Sequence, residues 1–165
     1  NFSMKSNSVP YDVWEKQGDL LATEGNVIHY DFIEKFICDL GEKYHILEIA
    51  VDRWNATHMI QNLEDSGFTM VPFGQGFASM STPTKEFYRL LMEGQIIHAG
   101  HPVLRWMAGN VVIETDAAEN IKVTKAKSKE KIDGIVASIM VLDRCLRNQG
   151  EPQGSVYDER GLLVF

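Results

Sequence analysis

Residues 46–56 read ILEIAVDRWNA. Ile46, Leu47, Ile49, Ala50 and Val51 form an apolar run that ends at Asp52, with Arg53, Trp54 and Asn55 after it. A short apolar run of this kind predicts a strand buried on both faces, as in a parallel sheet covered by helices. In such sheets ligands gather beyond the carboxyl ends of the strands. Asp52 stands at that end, on a rigid element, where a carboxylate can hold a cation. It reads equally well as a local cap or as the ion-pair partner of Arg53.

The segments on either side alternate in type. Tyr11–Gln17 predicts a short helix, and VIHY (27–30) a brief strand. Phe32, Ile33, Phe36, Ile37 and Leu40 recur at helical spacing behind Asp31, a good N-cap, and predict an amphipathic helix over 32–44. Asn55 caps a second helix, 56–66, with Met59, Ile60 and Leu63 inward and Gly67 as its stop. FTMVPF (68–73) and QIIHAG (95–100) predict strands. GQGFASMSTP (74–83) reads as a long loop, a candidate lid or substrate loop, with Pro83 opening the next helix. Pro102 opens a short helix, 101–110. VVIETDAAENIKVTKAK (111–127) predicts a β-hairpin with DAAEN at its tip, and a long helix follows over 130–148. Strands alternating with helices make this an α/β layered domain over 1–150, with a tail of linker composition over 151–165.

A chain of 165 residues is long enough to bury a core as one domain. No apolar run approaches the roughly 18 residues a membrane helix needs, and NFSMKSNSVP has no signal-peptide core. Cys38 and Cys145 lack metal-ligand spacing and read as buried free thiols, which suits a reducing compartment. The net charge of −7 argues against a surface given over to phosphate binding. KVTKAKSKEK (122–131) nevertheless gathers five lysines around one glutamate. Lys125, Lys127, Lys129 and Lys131 alternate, so an extended arm would put them on one face. That row suits the tracking of phosphates, and equally a solvated edge that discourages strand pairing.

Asp133, in KIDGIVASIM, lies at the start of the long helix among apolar neighbours. The helix dipole alone favours an acid there by roughly 0.3–1 kcal/mol. Gly134 is harder to explain, because glycine weakens a helix by about 1 kcal/mol relative to alanine. It predicts that something approaches the backbone closely. Two carboxylates, one at a strand end and one at a helix start, are a common way to hold Mg2+ or Mn2+. No phosphate-binding loop, paired-histidine zinc motif or nucleophile elbow occurs. The histidines read as surface or capping residues, and Trp14, Trp54 and Trp106 as packing anchors.

The blocks VDRWNA, PFGQGFASMS, VLRWMAGN and KIDGIVA, in this order across nearly the whole chain, resemble the C-terminal nuclease domain of the large terminase subunit of tailed bacteriophages and prophages. The resemblance implies a ribonuclease H-like mixed sheet flanked by helices. It implies a site for two divalent ions, Mg2+ or Mn2+, and endonuclease cutting of concatemeric double-stranded DNA during genome packaging in the host bacterial cytoplasm. By motif, Asp52 resembles the second acidic ligand and Asp133 the third. Beside that carry-over, Lys125, Lys127 and Lys129 are candidates to hold the DNA backbone, and Lys131, two residues before Asp133, to neutralise phosphate charge near the site. The family's first acidic ligand lies on a strand upstream of VPYDVW, whereas NFSMKSNSV holds no Asp or Glu. The chain is therefore expected to lack that first strand, its carboxylate and the ATPase motor. Poor metal affinity and an unpaired edge on 46–51 should follow. The rival expectation is a non-catalytic module of the packaging machine that docks to the portal protein or small terminase subunit.

Overall fold

The computed structural model describes residues 9–23, 25, 29–52 and 57–148. Arg53, Trp54, the Asn55 cap, Val27, Ile28 and the tail 151–165 lie outside the described residues. The elements in chain order are α1 (Tyr11–Gln17), α2 (Tyr30–Gly41), β1 (Ile49–Asp52), α3 (Thr57–Asp65), β2 (Met70–Phe73), α4 (Phe77–Met92), α5 (Pro102–Gly109), β3 (Ile113–Thr115), β4 (Ile121–Val123) and α6 (Asp133–Asn148).

Among the described residues the strands fall into two two-stranded ladders. β1 and β2 pair in parallel, with Ile49 opposite Met70 and Asp52 opposite Phe73. β3 and β4 form a separate antiparallel hairpin. Its tip is built by Asp116, whose Oδ1 accepts from the backbone amides of Ala118 and Asn120 at 2.9 Å each. Its Oδ2 accepts from the Asn120 side chain, also at 2.9 Å. A turn aspartate that satisfies successive backbone amides fixes the hairpin register.

Both sheets pack on α6. Ile135, Val136, Ile139 and Met140 recur at helical spacing and present one apolar stripe. With Ile132, Met80 from α4 and Phe73 from β2 they form the buried core. Ala50, Phe87, Leu104, Met107, Val111 and Val123 close around it. A second cluster anchors the N-terminal part. Trp14 is buried with its ring 5.5 Å from Trp106, and Tyr11 meets both rings edge-on. These two tryptophans are packing anchors, as expected.

Several expectations are corrected. Residues 77–83 are helical, so α4 begins six residues before Pro83 and only 74–76 remain as a loop. A proline there removes a helix hydrogen bond. The Pro83 ring is fully buried, however, beside Met80, Ser81 and Thr84, and Ser81 Oγ accepts from the amide of Ile121 on β4 at 3.2 Å. Burial of this face offsets the lost bond. The strand expected over 95–100 is absent: Ile97 is 95% exposed, and Ala99 and Gly100 turn the chain with positive φ. β1 starts at Ile49 rather than Ile46, and its four residues are half-buried rather than buried on both faces. Tyr30 belongs to α2, which has His29, not Asp31, at its N-cap and buries none of its residues. α6 starts at Asp133, three residues later than expected. Cys145 is exposed and Cys38 only half-buried, against the expected pair of buried thiols.

Candidate metal and nucleic-acid site

The candidate site is sought at Asp52, the last residue of β1, and Asp133, the first residue of α6, and the ties between the two elements come first. Arg144 on α6 donates from Nε and Nη2 to the two carboxylate oxygens of Glu48, at 2.7 and 3.0 Å, and Asn148 adds a bond at 2.8 Å. The fork-on-fork geometry and low exposure, 13% for the Glu48 side chain and 25% for Arg144, make this a firm clamp. The Arg144 guanidinium holds the Glu48 carboxyl below its ordinary range, with Asn148 adding to the effect and desolvation opposing it. Two residues on, Ala50 packs against the α6 stripe. Glu48 immediately precedes β1, and Asp52 is the last residue of that strand.

Phe73, the register partner of Asp52, lies in the core with Ile132 and the α6 stripe. From Glu48 to Asp52 the strand advances roughly 13 Å at about 3.3 Å per residue. From Arg144 back to Asp133 the helix covers roughly 16 Å at about 1.5 Å per residue.

Asp133 is the first residue of α6, and its side chain is 55% exposed. Lys125 Nζ sits 2.6 Å from its Oδ1. That lysine holds the Asp133 carboxyl below the ordinary aspartate value, partial desolvation opposes it, and Lys131 contributes a smaller lowering. Asp133 lines a cleft of about 420 Å³ with Lys125, Ser128, Lys129, Glu130, Lys131 and Ile132. Among the described residues no group of three or more His, Cys, Asp or Glu is placed to hold a metal ion.

The lysines do not stand in a row on an extended arm, because β4 ends at Val123 and 125–127 form a turn. Lys125 pairs with Asp133 and Lys127 with Glu114 at 2.9 Å, whereas Lys129 and Lys131 line the cleft. Gly134 has its close neighbour, and it is α5. The Gly134 amide donates to Met107 Sδ at 3.1 Å, and a Cβ added there would lie 2.9 Å from that sulfur. The sequence reading missed the Glu48–Arg144–Asn148 clamp. The alternation of Glu48, Ala50 and Asp52 on one predicted strand was the signal that could have found it.

The model for the family described as terminase large subunit, endonuclease domain, matches residues 1–149. The chain belongs to that family. The large terminase subunit of Enterobacteria phage HK97 is 33% identical over 159 residues, covering 95% of this chain and 30% of that protein. Protein YmfN of Escherichia coli strain K12 is 29% identical over 143 residues, covering 86% of this chain and 31% of that protein. The crystal structure of the HK97 bacteriophage large terminase superposes with a TM-score of 0.75 at 34% identity, over 82% of this chain and 29% of that one. The ribonuclease H-like α/β fold class of this terminase nuclease domain agrees with that match. The chain spans under a third of the length of these relatives. Among the described residues of the terminase domain, no helix is long and apolar enough to cross a membrane.

Proposed function

We propose that this terminase domain is a metal-dependent endonuclease that cuts double-stranded viral DNA during packaging, in the host bacterial cytoplasm, with Asp52 and Asp133 as metal ligands. The observation that supports the reading is the match of residues 1–149 to the terminase endonuclease-domain family, with Asp52 closing β1 and Asp133 opening α6. Their donor chemistry fits Mg2+ or Mn2+. These hard cations take carboxylate oxygens, and Mg2+ commonly uses only one or two protein carboxylates, with waters and phosphate oxygens completing the shell. The chemistry such ions supply is acidification of water and neutralisation of charge at the reacting phosphate.

The chain's own residues do the rest. Glu48 and Arg144 tie the entry of β1 to the last turns of α6 and so brace the strand that ends at Asp52. Gly134 lets α5 approach α6 and seats the Asp133 turn. Lys129 and Lys131 line the cleft beside Asp133 and present positive charge to the DNA backbone. Lys125 and Lys127 join them when their carboxylate partners are otherwise engaged.

Calorimetric titration with Mn2+ and nicking of supercoiled plasmid test the reading together. Asp52→Asn and Asp133→Asn should each abolish Mn2+ binding and any cleavage. Cleavage that neither substitution alters would sink it. A second reading is docking to the portal protein or small terminase subunit, favoured by the half-exposed aromatics Tyr30, Phe32 and Phe36 on α2. Capture of either purified protein, lost on Phe32→Ser with Phe36→Ser, would support it.

A further inference from the structure

We infer that the cleft at the amino end of α6 is a seat for the sugar–phosphate backbone of DNA that works without a divalent ion. The inference rests on the reading of the chain as a DNA-cutting domain and asks nothing of Asp133 as a metal ligand. It adds that holding DNA and cutting it are separable.

The lining decides the sign of the ligand. Lys125, Lys129 and Lys131 share the cleft with only two carboxylates, Glu130 and Asp133. Lys125 Nζ lies 2.6 Å from Asp133 Oδ1 and takes up that carboxylate. Among the described residues no salt bridge engages Lys129 or Lys131. Their ammonium groups are left for an anion, with Glu130 alone set against them. Three clustered ammonium groups repel a divalent cation and attract a phosphate.

The seat is anchored at both ends. Thr124 is buried, its amide donates to Val112 O at 3.0 Å, and its carbonyl accepts from Ser128 Oγ at 2.7 Å. Ile132 is fully buried, and its carbonyl accepts from the amides of Ile135 and Val136 at 3.0 and 3.1 Å. The Lys125–Asp133 pair ties the residue after one anchor to the residue after the other, so Lys129 and Lys131 stand on a braced arch. No aromatic ring lines the cleft, so no base stacks there and the backbone is held without regard to sequence. Residues 122–131 carry five of the 16 Lys and Arg in a chain of net charge −7. The chain as a whole repels a polyanion, and this segment sets where the backbone lands.

The test titrates the full chain, in EDTA and at several salt concentrations, with a labelled duplex bearing 5′-hydroxyl ends. The native chain should bind. Lys129→Met with Lys131→Met should flatten the salt slope by roughly 1.8, two phosphate contacts at about 0.9 each. Arginine at both positions should restore it, and Lys35→Met on α2 should leave it unchanged. Glu130→Gln should tighten binding about twofold. Binding that appears only with Mg2+ overturns the proposal. So does binding in EDTA that the paired methionines leave unchanged, and the DNA-cutting reading then stands without this seat. A duplex with 5′-phosphate ends bound about tenfold tighter through the same lysines would make the ligand a terminal phosphate, and also overturns it. Absence of duplex binding with and without Mg2+ removes the DNA-cutting reading and the seat together.

Discussion

Replacing Gly134 by alanine tests how the amino end of α6 is seated. Alanine in a helix is better than glycine by roughly 0.5–1 kcal/mol, so an unobstructed site would gain stability. Here the new methyl meets Met107 Sδ at 2.9 Å and Leu104 Cδ1 at 3.2 Å. Both side chains pack against the core, so neither retreats without disturbing it. Overpacking of this kind costs about 1–3 kcal/mol, and displacing the sulfur also removes the acceptor of the Gly134 amide. The opposing effects leave a net loss of about 1 kcal/mol, or roughly 2–4 °C in Tm for a chain this size. Urea unfolding followed by far-ultraviolet circular dichroism measures it. In a Met107→Ala background the nearer contact is gone and only Leu104 Cδ1 has to give by a few tenths of an ångström, so the same substitution should then turn stabilising, by less than the roughly 0.5–1 kcal/mol of an open site. That reversal of sign is the sensitive quantity. If Gly134→Ala stabilises the native chain, α5 does not demand the glycine, and close approach by a ligand becomes the better explanation for it.

Glu48→Gln should destabilise the chain by about 1–3 kcal/mol near neutral pH, because Arg144 loses its charge-assisted partner. The native Glu48 carboxyl is held below its unfolded value, so its contribution is present above that value and disappears as pH falls through the folded one. Equilibrium unfolding between pH 7 and pH 3 should show a shallower acid limb in Glu48→Gln, and an unchanged limb would refute the clamp. Phe32→Ser with Phe36→Ser should cost under about 1 kcal/mol despite removing two large apolar groups, since α2 buries none of its residues; a larger loss by urea titration would show a face packed more deeply than described. Asp116→Ala should speed hydrogen exchange at the amides of Ala118 and Asn120 while leaving those of α6 protected. Lys129→Ala and Lys131→Ala should each flatten the salt dependence of duplex binding by about one unit of slope, with no preference among sequences.

The parts of the fold legible in the sequence are those where local chemistry and tertiary packing agree. Pro102 opens α5, with the His101 ring accepting the Leu104 amide, and DAAEN turns the hairpin as its aspartate and asparagine suggest. The α6 stripe follows from spacing alone. The start of α4 was hidden because GQGFASMSTP carries the glycine, serine and proline of a loop, whereas burial against β4 and α6 makes most of it helix. Ile96 and Ile97 imitate a strand, but with no neighbouring ladder to join they stay in a connection and Ile97 faces solvent. At the site, the positions of Asp52 and Asp133 at element ends were readable. The partner of Asp133 was not. Lys125 reaches it through a turn eight residues upstream, and a turn of that kind leaves no periodic trace in the chain.

The two β-ladders share no strand among the described residues. What keeps them in relation is the filling between them, chiefly Ile135, Val136, Ile139 and Met140 of α6 with Phe73 and Met80. Backbone hydrogen bonds set distances that hardly vary, whereas the thickness of a hydrocarbon layer follows the bulk of the groups placed in it. The gap from the end of β1 to the start of α6 is therefore graded by methylenes. Exchanging Ile139 for valine or Phe73 for leucine, with no charge altered, would retune the spacing of the two ladders by fractions of an ångström, a lever by which relatives sharing the same charged residues could come to differ at the ends of those strands.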